Sequence, residues 1–285
     1  MVSTIEIIPS PVLQPYVRCF SFREFDTMGQ QLIKPLYAQH EFYITFHLDN
    51  PPIRLEEQAG KSVPLVTSSV DKYVIGLQSY FTGNLSFSGH ISFFSIQFWP
   101  TGFCGIFNKP LTSFTNMVFD ASDIFNYDFS RLLQQLQEAG DVNKMVEYAE
   151  KLLLDYLSKS KISDPYNAMQ TLSRLICKDA GNKNINIDQM AYDANMSLKT
   201  FERKFLQQIG LSPKLFARII RFNKAIMSKI MNPKQDWTAI AYDFGYYDQM
   251  HLIRDFKEFA NATPITFFKN TPPPIEEVSF VEDNK

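Results

Sequence analysis

Cysteine is scarce in this sequence: only Cys19, Cys104 and Cys177 occur in 285 residues. None belongs to a C-x-x-C pair, and an odd number of widely spaced cysteines argues against a disulfide framework and a structural zinc site. We therefore expect reduced, buried thiols. The run of about 18 apolar residues that a membrane-spanning helix requires is also missing. Since the N-terminus has no basic segment followed by an apolar core, we expect no signal or transit peptide and a cytoplasmic location.

The short motifs that mark common catalytic sites are missing as well. The sequence contains no G-x-S-x-G, no P-loop, no H-E-x-x-H and no carboxylate pair at a convincing spacing. His40, His47 and His90 lie in the first third of the chain, but their spacing does not match an H-x-H pair followed by a glutamate. We therefore expect no catalytic residue, no metal and no cofactor, and an enzyme is not the expected class of protein.

A chain of 285 residues is long for a single core, so two domains are the default expectation. The overall net charge of −2 conceals an uneven distribution. Residues 167–270 contain 10 Lys and 5 Arg against 7 Asp and 2 Glu, a net charge of +6. A basic segment of this kind indicates contact with a polyanion such as nucleic acid.

The first 120 or so residues are rich in phenylalanine and predict short β-strands. In FYITFHL, which starts at Phe42, apolar and polar side chains alternate with a period of two. The pattern continues in VPLVTS (63–68), in YVIGLQS (73–79), and in LSFS and ISFFSIQF on either side of Gly89-His90. Several short strands separated by turn residues favour an antiparallel sandwich or barrel.

The periodicity becomes helical from Ser122 onward. Apolar residues at 132, 133 and 136, and a second apolar stripe over 142–157, predict two antiparallel helices. The second stripe could pack on the β-rich part of its own chain or form a dimer, and both alternatives stay open. Asp164-Pro165 predicts the start of a further helix that runs to about Lys178. We divide the chain into a β-rich domain (1–121), a helical connector (122–163), an all-α domain (164–270) and a flexible acidic tail (271–285).

The basic segment contains an internal duplication. Met190-Ala191-Tyr192-Asp193 matches Ile240-Ala241-Tyr242-Asp243 at an offset of 50. At an offset of 51, Arg203, Phe205, Gly210, Pro213 and Phe216 match Arg254, Phe256, Asn261, Pro264 and Phe267. The one extra residue of the second copy falls between Gly245 and Asp248, within a turn.

Each copy has the pattern of a helix-turn-helix unit. Ala191 and Ala241 are small, as the crossing of two helices requires, and Asn195 and Gly245 tolerate the left-handed conformation of a tight turn. The second helix of each unit starts after a good N-cap, Ser197 or Asp248. It ends at a residue that favours a left-handed C-cap, Gly210 or Asn261.

Helical spacing separates the buried side of each second helix from its outward side. The predicted buried residues are Leu198, Phe201, Phe205 and Ile209 in the first copy, and Leu252, Phe256 and Phe259 in the second. The predicted outward residues are Lys199, Glu202, Arg203 and Leu206 in the first copy, and Met250, Ile253, Arg254 and Lys257 in the second, with Gln249 in the first turn.

A helix from about Pro213 to Met231 is predicted to connect the two units. Nineteen residues at about 1.5 Å each give about 28 Å, which is comparable to the ~34 Å between successive major grooves on one face of B-DNA. This spacing would let one chain place two recognition helices in neighbouring major grooves.

The span 167–270 resembles the DNA-binding domain of AraC/XylS-type bacterial transcription regulators, whose second unit ends in a pattern similar to FGYYDQMHLIRDFKEFANATPITF. It departs from the family at Asn261, where glycine is usual, and at the apolar Met250 and Ile253. The N-terminal part resembles, less closely, the cupin-like sensing domain of such regulators. The resemblance implies a one-component regulator that binds promoter DNA and contacts RNA polymerase.

We assign residue roles on this basis. Arg203 and Arg254 are the leading base-reading residues, because a guanidinium can bond O6 and N7 of guanine together. Lys199 and Gln249 complete the predicted base-contacting set, and the predicted phosphate-contacting set is Ser197, Lys204, Lys214 and Lys257. Glu202 could accept a hydrogen bond from cytosine N4 or pair with nearby lysines, and we favour the pairing. We expect His251 to stabilise the second unit. Met250 and Ile253 could touch thymine methyl groups or pack between helices.

The predicted fold is therefore α+β and multidomain: a cupin or jelly-roll-like β-rich domain, a helical connector and an all-α domain with two helix-turn-helix motifs. The predicted partners are double-stranded DNA, RNA polymerase, a small effector and a second copy of the chain. An effector would bias the orientation or the dimerisation of the domains through the 128–160 helices. Two alternatives stay open: a β-domain ligand-binding protein or enzyme with an accessory helical module, and a helical interaction module without DNA binding.

Overall fold

The computed structural model describes residues 3–58, 61–64, 71–125, 127–160, 168–181 and 185–270. The predicted N-cap at Asp164-Pro165, part of the predicted strand 63–68 and the predicted tail 271–285 lie outside the described residues.

Ten strands form two antiparallel sheets within the described part of the chain. In chain order they are β1 (Ser3–Ile7), β2 (Val17–Asp26), β3 (Leu32–Pro35), β4 (Phe42–Asp49), β5 (Ile53–Gln58), β6 (Lys61–Pro64), β7 (Lys72–Ile75), β8 (Asn84–Phe87), β9 (His90–Phe98) and β10 (Val118–Asp120). A six-stranded sheet has the order β1-β2-β9-β4-β7-β10, and a four-stranded sheet has the order β3-β8-β5-β6. The β-rich prediction for this part of the chain is confirmed.

The two faces of the six-stranded sheet have different chemistry. Phe42, Ile44 and Phe46 of β4 lie on one face and are at most 1% exposed. Tyr43, Thr45 and His47 lie on the other face, where Phe93 packs against a cluster that includes Phe87 of the four-stranded sheet. The alternation predicted for FYITFHL is therefore observed. One face is apolar, and the face toward the second sheet carries polar side chains.

Helices cover the apolar face of the sheet. They are α1 (Gly102–Phe107), α2 (Ala121–Phe125), α3 (Tyr127–Glu138) and α4 (Val142–Lys159). Phe129 of α3 stacks on Phe46 of β4 with ring centroids 6.0 Å apart, and the ring centroids of Phe103 of α1 and Phe42 are 4.2 Å apart. The buried side of α4 consists of Met145, Val146, Ala149, Leu152 and Leu153. The apolar stripe of 142–157 thus packs within its own chain, which is the first of the two alternatives.

The C-terminal part of the described chain is helical. It consists of α5 (Ala168–Asp179), α6 (Ile187–Asp193), α7 (Leu198–Ile209), α8 (Pro213–Met231), α9 (Trp237–Asp243), α10 (Gln249–Ala260) and α11 (Pro264–Asn270). The connecting helix has the predicted bounds, and the Ser212 side chain caps it by accepting a hydrogen bond from the Leu215 N–H. The predicted fold class is confirmed.

From the composition we expected reduced, buried thiols and no helix that spans a membrane. Cys19 and Cys104 are buried, Cys177 is half-buried, and none of them forms a disulfide. Among the described residues, no helix is both long and apolar enough to cross a membrane.

Candidate nucleic-acid interface

The first helix-turn-helix unit consists of α6, a tight turn and α7. Asn195 in the turn has φ +53°, the left-handed conformation that was predicted for it. The Ser197 hydroxyl accepts a hydrogen bond from the Thr200 N–H at 3.3 Å and caps the start of α7. Gly210, with φ +88°, ends the helix. Local sequence signals therefore define this unit at both ends of its second helix.

The second unit repeats this construction with α9 and α10. Gly245 occupies the turn with φ +66°, and the Asp248 carboxylate accepts a hydrogen bond from the His251 N–H at 2.7 Å. Asn261 ends α10 with φ +52°, so asparagine supplies here the left-handed cap that Gly210 supplies in the first unit. The His251 ring packs edge-on against Tyr246, in keeping with the structural role expected for it.

The buried sides of the two second helices agree with the prediction at all but one position. Phe201, Phe205 and Ile209 of α7 are fully buried, as are the three residues predicted for α10. Leu198, which we also predicted to be buried, is instead 41% exposed. It is the first residue of α7, where the helix has not yet reached the core.

The predicted base-contacting residues lie on the outward side of the two helices. Lys199, Arg203 and Arg254 are exposed, and the described residues offer no ion pair or hydrogen bond to their side chains. Gln249 is half-buried, and its Oε1 accepts a hydrogen bond from the Thr238 hydroxyl at 3.2 Å. The base contacts themselves stay a prediction.

The predicted phosphate-contacting residues occupy different environments. Lys214 and Lys257 are exposed, whereas Lys204 is half-buried. Ser197 already uses its hydroxyl as the N-cap of α7. Phosphate contact remains a prediction for all four residues.

The remaining outward positions separate into exposed and half-buried side chains. Met250 is 57% exposed and Ile253 is half-buried, so Met250 does not pack between helices. Glu202 is exposed and makes no ion pair with any described residue, so the expected pairing with lysines is not observed.

A buried carboxylate, which sequence reasoning missed, holds α10 against α8. Asp255 is 0% exposed; its Oδ1 lies 2.7 Å from Arg218 Nη2 and its Oδ2 lies 3.4 Å from Arg221 Nη2. Arg218 also bonds the exposed Glu258, and the Arg221 guanidinium lies 4.1 Å from the centroid of the Tyr246 ring. These two arginines are therefore engaged within the protein, unlike Arg203 and Arg254.

The charges of this cluster shift the proton affinities of its members. Burial opposes the charged form of Arg218, but hydrogen bonds from its guanidinium to Glu258 and Asp255 raise its pKa above the usual value. Burial, followed by the nearby Asp255 carboxylate, raises the pKa of Tyr246. The helical spacing of 252, 255, 256 and 259 places Asp255 on the buried side of α10, and this signal could have found it.

A cleft of about 1200 Å3 separates the two units along one side of α8. Lys214, Arg218 and Arg221 of α8 line it, together with residues from the start of α6 and from the turn before α10. At its edge the backbone of Gly181 lies against Phe244, where a Cβ at position 181 would come within 3.0 Å of the ring. The cleft thus places cationic side chains between the two units.

The histidines of the β-rich part have separate environments. His40 is bonded to Asn223 of α8, and His90 lies at the surface, 2.9 Å from Glu24. Burial lowers the pKa of His47 to about 3. No group of three or more His, Cys, Asp or Glu side chains that could hold a metal ion occurs among the described residues.

The polar face of the six-stranded sheet contains a group of buried hydrogen-bonding side chains. Its members at most 7% exposed are Ser21, Thr45, His47, Ser95 and Gln97. The Thr45 and Ser95 hydroxyls lie 3.0 Å apart, and Gln97 Nε2 donates to the Tyr43 hydroxyl at 3.2 Å. His47 Nδ1 is buried and has no hydrogen-bond partner among the described residues. An unsatisfied polar atom in such a group is able to bond an added small molecule.

Two family models match the chain. A helix-turn-helix domain family matches residues 190–270, and a family described as a domain of unknown function (DUF6597) matches residues 5–120. The first match covers the two units, from α6 to α11. The second covers the β-rich part.

Curated relatives of the chain are transcription regulators. An uncharacterized HTH-type transcriptional regulator of Haemophilus influenzae is 33% identical over 85 residues, which cover 30% of this chain and 28% of the relative. The HTH-type transcriptional activator RhaS of Escherichia coli is 27% identical over 139 residues, which cover 46% of this chain and 49% of the relative. The chain thus spans about half or less of the length of these relatives. Among solved structures, ToxT of Vibrio cholerae is 14% identical with a TM-score of 0.48, over 89% of this chain and 99% of that chain.

Proposed function

We propose that the protein is a sequence-specific DNA-binding transcription regulator of the AraC type, because a helix-turn-helix domain family matches residues 190–270. In this proposal α7 and α10 are recognition helices that enter two successive major grooves. The 19-residue helix α8 sets their separation.

The contrast between two kinds of arginine carries the proposal. Arg203 and Arg254 occupy equivalent positions of the duplication, and both are exposed with no partner among the described residues. Arg218 and Arg221 are instead engaged by Asp255. An unpaired guanidinium on the outward face of a second helix is suited to bidentate bonding with guanine.

The remaining roles follow the same geometry. Lys199 and Gln249 supply further base contacts, and Ser197, Lys204, Lys214 and Lys257 contact phosphates. Lys214 in the cleft would face the DNA backbone between the two grooves. Neutralisation of phosphates makes the affinity fall steeply as the salt concentration rises. We also propose RNA polymerase as a partner, and the cytoplasm as the site of action.

The test is fluorescence anisotropy of the full chain on a duplex that it selects from a random pool and on a scrambled duplex, across a salt series. Arg203→Ala and Arg254→Ala should each weaken binding to the selected duplex about 5- to 150-fold. Arg131→Ala is the matched control, since it removes an exposed arginine of α3 that lies outside the helix-turn-helix units. Wild-type affinity in both arginine variants would refute the proposal and favour the alternative of an interaction module without DNA binding.

We further propose that a small effector binds at the polar face of the six-stranded sheet. His47, Thr45 and Ser95 would bond it, and the unpartnered His47 Nδ1 supports this assignment. A library of small polar molecules should contain members that raise the melting temperature of the wild type and change its limited-proteolysis pattern. The same compounds should have a reduced effect on His47→Phe. If no compound changes either measurement, the effector proposal is wrong.

Two further expectations concern activity and assembly. Because the relatives are transcription regulators, a binding role for the β-rich domain is favoured over the alternative of an enzyme with an accessory helical module. A homodimer would form through a surface other than the 142–157 stripe, since that stripe is buried within the chain.

A further inference from the structure

The β-rich part of the chain donates hydrogen bonds to the C-terminal ends of α7 and α10, the two proposed recognition helices. At the end of α7, the Gly210 carbonyl accepts a hydrogen bond from the Thr115 hydroxyl at 2.8 Å. At the end of α10, the Phe259 carbonyl accepts one from the Ala38 N–H at 2.9 Å. The last carbonyls of a helix have no partner within the helix and carry partial negative charge. The Thr115 hydroxyl and the Ala38 N–H therefore stabilise the C-terminal ends of α7 and α10.

The contact at Gly210 is close as well as polar. A Cβ at position 210 would lie 2.5 Å from Thr115 Oγ1 and 3.1 Å from the Leu111 carbonyl oxygen. Glycine is therefore required here twice, by the left-handed cap of α7 and by the approach of the 111–115 segment. The end of α7 cannot move toward the β-rich part without a clash.

A third contact joins the 37–40 segment of the β-rich part to α8 near the middle of this helix. The Tyr37 ring packs edge-on between Phe222 of α8 and Phe267 of α11, at centroid distances of 6.0 and 5.4 Å. The Asn223 amide donates to the Ala38 carbonyl at 2.9 Å, and its Oδ1 lies 2.8 Å from His40 Nδ1. Both Tyr37 and Asn223 are buried, so this contact is part of the protein interior.

These contacts lie opposite the cleft between the two units. At about 100° per residue, positions 214, 217, 218 and 221 share one side of α8, and Phe216 and Asn223 lie about half a turn away. The side of α8 that carries 214, 217, 218 and 221 lines the cleft, and among the described residues none of the β-rich part lines it. The β-rich part therefore braces the two units from the side on which α8 is packed.

We infer that the β-rich domain is a brace that sets the separation and angle of the two recognition helices, and with them the half-site spacing that the protein accepts. The inference rests on the proposed function, because it assumes that both helices read DNA. Thr115, Tyr37 and Asn223 are its positioning residues; none of them needs to touch DNA. A shift of one base pair rotates one half-site relative to the other, so a rigid pair of helices rejects it.

The first experiment measures the geometry without DNA. Spin labels at Gln207→Cys and Met250→Cys, in a Cys177→Ser background of the full chain, report the distance between exposed positions of α7 and α10 by pulsed electron paramagnetic resonance. We expect a narrow distance distribution, and a clearly broader one after Thr115→Val and Asn223→Ala are added together. Thr27→Val is the matched control, because it removes a hydroxyl of the β-rich part that accepts a hydrogen bond from the Gly89 N–H at 2.8 Å, away from the helices. Equal widths in all variants would overturn the inference.

The second experiment measures the consequence on DNA. On a duplex selected by the wild type, insertion or deletion of one base pair between the half-sites should weaken wild-type binding at least about tenfold. The double variant should lose less than about threefold on the same change. If the double variant discriminates as strongly as the wild type, the inference is wrong.

The two experiments separate this inference from the proposed function. If the wild type selects no sequence but the labels show a narrow distribution that broadens in the double variant, the proposed function fails and the brace stands. If the double variant does not fold, Thr115→Val alone replaces it, since that change removes one hydroxyl and keeps the shape of the side chain. An unchanged distribution in folded Thr115→Val would then count against the brace.

Discussion

The pairing of Arg218 with two carboxylates offers a test of how burial sets the strength of an ion pair. Asp255 Oδ1 and Glu258 Oε2 both lie 2.7 Å from the same guanidinium nitrogen, Arg218 Nη2. The Asp255 side chain is 0% exposed, whereas that of Glu258 is 50% exposed. The two pairs share this nitrogen and this distance, but the carboxylates differ in burial and in their second contact: Asp255 Oδ2 lies 3.4 Å from Arg221 Nη2, and Glu258 Oε1 accepts from Arg218 Nη1 at 3.2 Å.

The expected magnitudes differ for this reason. Removing one partner of a buried pair costs about 3–5 kcal/mol, because the remaining charge stays desolvated. Arg218 and Arg221 are 29% and 18% exposed, so water recovers part of that loss. We expect Asp255→Asn to lower the free energy of unfolding by about 3 kcal/mol. Glu258→Gln should lower it by less than about 1 kcal/mol, as is usual for surface pairs.

Urea unfolding of the full chain measures the free energy of unfolding of both variants and of the wild type, and thermal unfolding measures their melting temperatures, each followed by circular dichroism. For Asp255→Asn the melting temperature should fall by about 6–12 °C. DNA affinity should fall as well, because Asp255 holds α10 against α8. Equal losses of stability in the two variants would refute the reasoning, since they would show that distance rather than burial decides the contribution.

Two more predictions concern the β-rich domain. Burial holds the pKa of His47 at about 3 in the native chain, whereas it is about 6.5 in the unfolded chain. Between these two values the unfolded chain binds a proton that the native chain does not, so the protein becomes less stable as the pH falls. The stability lost in this way is about 2 kcal/mol by pH 5, and urea unfolding of His47→Gln at pH 7.5 and pH 5 should lack that part of the decrease. Gly102→Ala should destabilise the protein by about 2–3 kcal/mol, because the added Cβ would lie 1.8 Å from the Tyr16 carbonyl oxygen. Alanine is otherwise the better residue in a helix by up to about 1 kcal/mol, so a lower melting temperature of Gly102→Ala in thermal unfolding would show that the clash is responsible, and an unchanged or higher one would contradict it.

Local signals in the sequence were sufficient to predict the two helix-turn-helix units. The caps at Ser197 and Asp248, the left-handed residues at Asn195 and Gly245 and the bounds of α8 each depend on a few neighbouring residues. Such interactions form within one or two turns of the chain, so a period, a cap residue and a duplication predict them. The outward placement of Arg203 and Arg254 follows from the same periodicity.

The β-rich part was harder to predict because its partners are distant. The ten-residue strand β2 (Val17–Asp26) pairs with β1 and β9, and its sequence VRCFSFREFD was not recognised as a strand. The short helix α1 was not anticipated either, because six residues hold too little periodicity to distinguish a helix from a strand end.

The amino-acid sequence by itself determined the α+β fold class, the duplicated units and the outward faces of their second helices, because these depend on contacts between near neighbours in the chain. Only the tertiary structure decided that the 142–157 stripe is covered by α1 and α3 of its own chain, that Asp255 is buried between two arginines, and that Asn223 bonds His40 across 183 residues. Each of these depends on which distant surfaces meet, and a periodic pattern shows that a face is to be buried without showing what covers it.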